Sequence, residues 1–343
     1  MKALVLKEYN TFSFEDFPKP ACGMDEVLVR VKACSICGSD VHGMDGSTGR
    51  RIPQIVMGHE ASGIIEETGG AVRTYKVGNR VTFDSTVYCG KCYYCKRGEV
   101  NLCDNRKVLG VSCTDYRLHG AFAEYVSVPQ HILYPLPDKV SFERAAMVEP
   151  LSIAFHAIRR SPVSLNDTAV VVGAGMIGLL IIQLLKLAGC GRIIAVDLVQ
   201  EKLEMAVKFG AEIGLKADSS DVAAKVFELT GGRGADISFE VVGITPTLQS
   251  AIAVLKKGGS LTLVGNLKPS VDLPLQSVVT RQISLFGTCA SAGEYSDCLD
   301  LIASGKVDID SFISAVVPLS EGASWFKRLY ASEPGLMKVI LVP

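Results

Sequence analysis

Apolar and polar positions follow different patterns in two parts of the chain. Through the first 150 residues, short alternating runs such as Val27–Val31 are separated every few residues by glycine, proline or aspartate. Such alternation is typical of half-buried β-strands joined by turns. From about Ala169 onward, short apolar runs alternate instead with stretches of helical periodicity. This second pattern predicts βαβ units and a doubly wound parallel sheet with helices on both faces, so the expected fold class is α/β.

The same pattern predicts individual elements. Helical periodicity is clearest at Glu201–Phe209 and Pro246–Lys257, and the tail Gly335–Pro343 returns to strand composition, so we expect it to rejoin the first domain. Short apolar runs predict strands at Ala169–Val172, Arg192–Val196, Asp236–Val242, Ser260–Val264 and Gln282–Phe286.

Composition and charge narrow the class of protein. A chain of 343 residues is expected to form two domains, and its 48% apolar and 21% charged residues suit a globular enzyme. The formal net charge is −1, which provides no basic field for nucleic acid or anionic lipid. We therefore expect neither as a partner.

Two apolar segments bear on where in the cell the protein is located. The apolar run Ala3–Leu6 ends at Lys7 and is too short for a signal peptide. The stretch Thr168–Leu185 contains 18 residues without a charge, but its three glycines favour a buried strand and helix over a membrane span. We expect a cytoplasmic protein.

Cysteine spacing predicts a first metal site. The chain has eleven cysteines, and four of them follow the pattern Cys89-x2-Cys92-x2-Cys95-x7-Cys103. Four thiolates at this spacing are typical of a closed tetrahedral zinc site, which would be structural. Two disulfides or a redox switch are the alternatives, but an odd cysteine count favours metal binding in a reducing compartment.

A second set of possible metal ligands is dispersed along the chain. Cys37, His59, Glu60 and Glu149 could supply a thiolate, an imidazole and a carboxylate, with the fourth position open. One thiolate and one carboxylate neutralise Zn²⁺, whereas both carboxylates bound would give a net charge of −1. Each residue taken singly has an ordinary structural explanation, so only the combination indicates a catalytic zinc.

A glycine pattern predicts a dinucleotide site. Gly173, Gly175 and Gly178 form G-x-G-x-x-G directly after a predicted strand and at the start of a helix, where phosphates bind helix N–H groups. Asp197 ends the next strand, and its carboxylate would accept hydrogen bonds from ribose hydroxyls and repel a 2′-phosphate, which favours NAD over NADP. We also assign five further residues to the cofactor site: Met176, Ile177, Lys202, Val242 and Gly265.

These motifs together resemble a known family. Gly58-His-Glu-x-x-Gly63-x5-Gly69-x2-Val72 is similar to the zinc alcohol dehydrogenase signature of the medium-chain dehydrogenase/reductase family. The resemblance implies a GroES-like, β-rich catalytic domain formed by residues 1–152 and 290–343, with a Rossmann domain at 153–289. It also implies two zinc ions per chain, NAD as the cofactor, and a homodimer or homotetramer.

The resemblance further implies roles for particular residues. Cys37 and His59 match the first two catalytic zinc ligands, Ser39 the hydroxyl that accepts the substrate proton, and His42 the relay toward solvent. Glu149 followed by Pro150 resembles the sorbitol, polyol and sugar-phosphate dehydrogenases, in which either this glutamate or the one matching Glu60 completes the zinc shell.

The expected activity is hydride transfer between NAD and a polyol or another secondary alcohol, giving the ketone. The stretch Thr288–Gly293 lacks the large aromatic and basic residues of sorbitol dehydrogenases, which argues against sorbitol itself. Three alternatives remain: L-threonine or a sugar phosphate such as galactitol 1-phosphate as the substrate, a zinc-free quinone reductase, and a non-enzymatic structural role.

Overall fold

The computed structural model describes residues 1–218 and 221–343, which form two compact units. The first comprises Met1–Pro150 and Ala292–Pro343, and the second comprises Leu151–Ser291. These limits lie within two residues of the domain boundaries that the resemblance implies. All the expected metal ligands lie in the first unit, and the glycine pattern lies in the second.

The first unit is rich in antiparallel β-structure. Its elements before the second unit are β1 (Lys2–Glu8), β2 (Thr11–Asp16), β3 (Glu26–Ser35), α1 (Gly38–Val41), β4 (Ile55–Val56), β5 (Glu60–Thr68), β6 (Arg80–Phe83), β7 (Thr86–Val87), α2 (Tyr93–Lys96), β8 (Lys107–Val108), β9 (Tyr125–Pro129), β10 (Leu133–Pro135), α3 (Phe142–Ala146) and the start of α4 (Val148–Arg159).

The second unit alternates strands and helices. Its elements after α4 are β11 (Thr168–Val172), α5 (Met176–Leu187), β12 (Arg192–Asp197), α6 (Gln200–Phe209), β13 (Ile213–Lys216), α7 (Val222–Leu229), β14 (Ala235–Glu240), α8 (Thr245–Ala253), β15 (Leu255–Leu263), α9 (Leu275–Thr280) and β16 (Ser284–Gly287). The chain then returns to the first unit with α10 (Tyr295–Ala303), β17 (Ile313–Pro318), α11 (Gly322–Tyr330) and β18 (Lys338–Val342).

Strand β3 organises the main sheet of the first unit. This seven-stranded sheet runs β10-β6-β5-β3-β18-β17, and β9 also pairs with β3. The register places Ser35, the last residue of β3, opposite Glu60 on β5 and opposite Ile340 on β18. Because β3 ends where β5 begins, the residues around Cys37 and those around Glu60 come together at one end of the sheet.

The sheet of the second unit is entirely parallel. Its six strands run β13-β12-β11-β14-β15-β16, the order expected of a doubly wound dinucleotide-binding fold. Val170, Val172, Ile194 and Val196 on the adjacent strands β11 and β12 are buried in the core of this unit. Continuous apolar runs suit strands that are covered on both faces.

Predicted and observed elements differ at some of their ends. The helix predicted at Pro246–Lys257 ends at Ala253, and the chain continues into β15 from Leu255, which pairs with Ala235. Strand pairing thus overrides helical periodicity in the last turn. The strand predicted at Asp236–Val242 ends at Glu240, because its Oε1 atom accepts hydrogen bonds from the backbone N–H groups of Val242 and Gly243 and turns the chain.

The uncharged stretch Thr168–Leu185 divides between β11 and α5, and α5 has only twelve residues. Within the described ranges, no helix has both the length and the apolar composition needed to cross a bilayer.

The turn from β11 into α5 provides a test of the packing. A Cβ atom at Gly178 would lie 1.9 Å from the carbonyl oxygen of Gly173, whereas one at Gly175 would meet no protein atom within 4 Å. We expect Gly178→Ala to destabilise the protein by about 1–3 kcal/mol, since backbone must move to admit the methyl group. The matched variant Gly175→Ala should change stability by less than about 0.5 kcal/mol. Urea unfolding measures both, and equal midpoints would contradict this packing.

Candidate metal and dinucleotide sites

The four-cysteine segment forms a compact group of donors. One sulfur atom each from Cys89, Cys92, Cys95 and Cys103 lies within 4.8 Å of the others. Tetrahedral zinc with bonds of about 2.3 Å places its sulfur ligands about 3.8 Å apart, so the group fits a closed zinc site. All eleven cysteines are free thiols, and the structure therefore contains neither of the two disulfides considered above.

Local backbone geometry favours a thiolate at Cys89. Gly90 and Gly98 have positive φ angles, which turn the chain around the sulfur atoms. The hydrogen bond from the backbone N–H of Lys91 lowers the pKa of Cys89 to about 6, whereas burial raises the pKa of Cys95 to about 12. Metal binding needs deprotonated sulfur, so this backbone arrangement supports the zinc assignment.

A second donor group forms where β3 ends and β5 begins. Ligand atoms of Cys37, His59 and Glu60 all lie within 4.8 Å of one another. Cys37 is half-buried, whereas His59 and Glu60 are buried. One thiolate, one imidazole and one carboxylate fit a zinc site that retains an open position.

Glu60 is paired with a lysine that the sequence analysis missed. Nζ of Lys338 lies 2.6 Å from Oε2 of Glu60 and also donates to the carbonyl of Ile36 at 3.1 Å. The hydroxyl of Ser35 donates to the same Oε2 atom. Oε1 of Glu60 is buried and has no hydrogen-bond partner among residues 1–218 and 221–343, so it is the oxygen available to a cation. The sequence feature that could have indicated this pairing is a lysine within the apolar C-terminal strand.

His59 faces a buried carboxylate. Its Nδ1 atom lies 3.3 Å from Oδ2 of Asp40. Although burial favours the protonated carboxyl, the charges of His59 and Arg51 lower the pKa of Asp40 to about 2. Beside the Asp40 carboxylate, which Arg51 also compensates, a neutral His59 would carry its proton on Nδ1 and leave the other ring nitrogen for a metal, the usual arrangement of metal-binding histidines.

Glu149 lies outside this close group. It is half-buried in the first turn of α4, and the ligand group within the described chain comprises only Cys37, His59 and Glu60. Burial, followed by the charge of Glu60, raises the pKa of Glu149 to about 8. The interaction with Glu60 places Glu149 near the donor group, and a carboxyl that favours its neutral form is suited to hydrogen bonding.

The expected proton-relay residues lie on one turn. Ser39 belongs to α1, and His42 is its C-terminal cap; both are exposed. Oγ of Ser39 donates to Sγ of Cys37 at 3.2 Å. The relay hydroxyl thus touches an expected metal ligand.

In the second unit, the glycine turn is held by the next strand. Gly173 has a φ angle of +103° and donates to the carbonyl of Val196 at 2.8 Å. Asp197 accepts hydrogen bonds from Ala174 N–H at 2.7 Å and from Val199 N–H at 2.9 Å. The carboxylate therefore stands beside the turn that would receive the pyrophosphate.

The remaining cofactor residues divide into two groups. Met176 and Ile177 open α5, and Lys202 lies half-buried in α6, which follows Asp197. Val242 and Gly265 follow β14 and β15, where a Cβ atom at Gly265 would lie within 2.4 Å of Val242 backbone atoms. Carboxyl ends of adjacent parallel strands form the dinucleotide crevice in such folds. The open space beside Gly175 is a cradle that a side chain would fill, which fits a phosphate approaching the backbone.

Two family models match the chain. The alcohol dehydrogenase GroES-like domain matches residues 23–138, and the zinc-binding dehydrogenase model matches residues 177–304. Sorbitol dehydrogenase of Bacillus subtilis is 33% identical over 348 residues, covering 100% of this chain and 97% of the relative. The protein named "Probable D-xylulose reductase A" of Emericella nidulans is 34% identical, covering 99% and 96% respectively.

A solved structure agrees with these matches. The alcohol dehydrogenase of Escherichia coli CFT073 complexed with NADH superposes with a TM-score of 0.91 at 28% identity, covering 100% of this chain and 99% of that one. The chain therefore belongs to the zinc-containing alcohol dehydrogenases of the medium-chain dehydrogenase/reductase family. It is an enzyme, and the predicted combination of a GroES-like domain with a Rossmann domain is confirmed.

The two donor groups predict two zinc ions of different function. Fully loaded protein should contain about two zinc ions per chain by elemental analysis. Cys37→Ser should lose one zinc and nearly all turnover with little change in thermal stability. Cys92→Ser should lose the other zinc and lower the melting temperature first, because a structural zinc contributes folding free energy. Active protein with no more than one zinc would overturn the assignment.

The buried ion pair predicts a stability effect at Lys338. Lys338→Met should destabilise the protein by about 3–5 kcal/mol, because it leaves the Glu60 carboxylate buried without its counter-charge. Adding Glu60→Gln should recover part of this loss, as expected for coupled residues. Lys327→Met, at an exposed site on α11, is the control. Urea unfolding that gives equal losses for Lys338→Met and Lys327→Met would contradict the pairing.

Proposed function

We propose that this enzyme oxidises a polyol or another secondary alcohol to the ketone, with NAD as the hydride acceptor and a zinc ion held by Cys37, His59 and a glutamate. The observation that carries the proposal is the close Cys37–His59–Glu60 group with the Ser39 hydroxyl in contact with Cys37. Support for a polyol comes from the named sorbitol dehydrogenase and D-xylulose reductase relatives, and support for the nicotinamide cofactor from the NADH complex.

The residues of the first unit have distinct tasks in this proposal. A zinc ion bound there supplies Lewis-acid chemistry that lowers the pKa of an alcohol. Ser39 accepts the proton that the alcohol loses as its own hydroxyl hydrogen leaves toward His42, which passes a proton on toward solvent. Glu149 hydrogen-bonds a hydroxyl group of the substrate or a water molecule.

Geometry, rather than charge balance, favours Glu60 as the direct ligand. Cys37 and Glu60 together neutralise Zn²⁺, and Lys338 adds one positive charge that the sequence-based count omitted. With Lys338 counted, a second bound carboxylate would make the cluster neutral, so charge balance alone does not reject Glu149. The preference for Glu60 rests instead on its position in the donor group and on the unpartnered Oε1 atom.

The second unit binds the cofactor in this proposal. Gly173, Gly175 and Gly178 admit the pyrophosphate at the start of α5, and Asp197 binds the ribose hydroxyls. Met176, Ile177, Lys202, Val242 and Gly265 line the same crevice. We further propose domain limits of 1–152 with 290–343 and of 153–289, assembly as a homodimer or homotetramer, and a reducing, cytoplasmic location that suits eleven free cysteines.

A substrate panel with both cofactors tests the proposal. Zinc-loaded enzyme should reduce NAD⁺ with free polyols or secondary alcohols, measured as NADH absorbance, and should use NADP⁺ poorly because Asp197 would face its 2′-phosphate. Asp197→Asn keeps the side-chain shape and should reduce the preference for NAD⁺ by about 10–100-fold, since a like-charge contact is removed.

Panel arms with phosphorylated polyols and L-threonine test the alternative substrates, and Cys37→Ser is the inactive control. If the enzyme turns over only phosphorylated polyols or L-threonine, that compound replaces free polyols and secondary alcohols as the proposed substrate class. If zinc-loaded enzyme turns over none of these substrates, the proposal is contradicted. If the wild type uses NADP⁺ and NAD⁺ equally well, the role of Asp197 is contradicted.

A further inference from the structure

Arg51 is an arginine buried beside the candidate catalytic site. It lies between α1 and β4, and only 4% of its side chain is exposed. Buried arginines are rare unless their donors are satisfied. Here the guanidinium group donates to three acceptors. Two lie on α1, Oδ1 of Asp40 and Oγ of Ser39, and the third is the carbonyl oxygen of the preceding residue, Arg50.

The first connection leads from Arg51 to the histidine. Nε and Nη2 of Arg51 lie 2.9 Å and 2.8 Å from the same oxygen, Oδ1 of Asp40. Because both donors engage Oδ1, the other oxygen of Asp40 remains for Nδ1 of His59, 3.3 Å away. Arg51 therefore holds Oδ1 in place and leaves Oδ2 facing the imidazole. A carboxylate in this position sets the ring orientation and tautomer of a metal-binding histidine.

The second connection leads from Arg51 to the serine. Nη2 of Arg51 donates to Oγ of Ser39 at 3.2 Å, and Ser39 donates to Sγ of Cys37 at 3.2 Å. A guanidinium can only donate, and a serine hydroxyl has a single hydrogen. The hydrogen of Ser39 must therefore point away from Arg51, and one of the two acceptor positions of Oγ is occupied. This leaves one lone pair to receive a proton.

The backbone leaves a path for this side chain. A Cβ atom at Gly43 would lie 2.6 Å from Cγ of Arg51 and 2.8 Å from the carbonyl oxygen of Ser39. Glycine at position 43 thus allows the arginine stem to pass against the end of α1. Arg51 reaches Asp40 and Ser39 because this position has no side chain.

We propose that Arg51 is a positioning residue. Its single guanidinium group fixes the orientation of the His59 imidazole by way of Asp40, and it also fixes the orientation of the Ser39 hydroxyl. The proposal rests on the proposed function, because it takes Cys37 and His59 as metal ligands and Ser39 as the proton acceptor. A simpler role, that of a counter-ion for the buried Asp40 carboxylate, would require only a positive charge. The planar fork distinguishes the two, since lysine supplies the charge but cannot bridge two acceptors in fixed geometry.

Three variants of the zinc-loaded enzyme test the inference: Arg51→Met, Arg51→Lys and the exposed neighbour Arg50→Met as a control. The metal readouts are zinc retention against a chelator and the visible spectrum of Co²⁺-substituted protein. Arg51→Met should weaken zinc binding at the Cys37 site about 10–100-fold and shift the Co²⁺ bands. It should also lower kcat more than it raises KM, while Arg50→Met matches the wild type.

Arg51→Lys separates positioning from charge. We expect it to recover folding stability but to keep a shifted Co²⁺ spectrum and a reduced kcat. Wild-type metal affinity and spectrum in Arg51→Met would overturn the inference, as would full recovery of spectrum and kcat in Arg51→Lys. If Arg51→Met does not fold, Arg51→Lys alone decides by the same criteria.

Failure of the proposed function has a different signature. In that case the wild type itself would bind no metal that depends on Cys37, whatever residue stands at position 51. Metal binding that is lost in Cys37→Ser but insensitive to Arg51 would overturn only the inference drawn here.

Discussion

The buried ion pair between Glu60 and Lys338 is the interaction on which the candidate catalytic site depends. Glu60 begins β5 and Lys338 begins β18, and both strands pair with β3, whose last residue Ser35 also bonds Glu60. Both charged side chains are almost completely buried. A carboxylate in such a place is tolerated only with a counter-charge and hydrogen bonds. The pair therefore ties the C-terminal strand to the metal donors and leaves one carboxylate oxygen for a cation.

Charge compensation extends through the rest of the donor group. Asp40 is paired with Arg51 and faces His59, so each buried charge near Cys37 has an opposite charge within hydrogen-bond distance or close to it. Glu149 differs from these charged groups, because burial and the charge of Glu60 raise its pKa to about 8. The site thus combines fixed charges, which hold geometry, with a carboxyl that favours its neutral form.

The dinucleotide unit uses a different physical device. Its proposed binding elements are backbone N–H groups, a helix N-terminus and glycines, with the carboxylate of Asp197 beside the turn. Most of this arrangement is local in the chain, because Gly173, Gly175 and Gly178 lie within six residues. The prediction of this unit from periodicity was accordingly close, and it was wrong mainly at element ends. Helix α8 stops at Ala253 because Leu255 pairs with Ala235 in the sheet, a contact that local periodicity does not contain.

The sequence alone determined the fold class, the family, the four-cysteine group and the glycine turn, because each depends on spacing within a short segment. It also indicated Cys37 and His59, with Glu60 or Glu149, as a set, through motifs typical of the family. Only the tertiary structure decided which charges accompany them. Lys338 lies 278 positions from Glu60, and Arg51 matters through Asp40 and Ser39, which are distant from it by more than ten positions but adjacent in space. Strand register and burial create those pairs, and neither is visible in the spacing of residues along a chain.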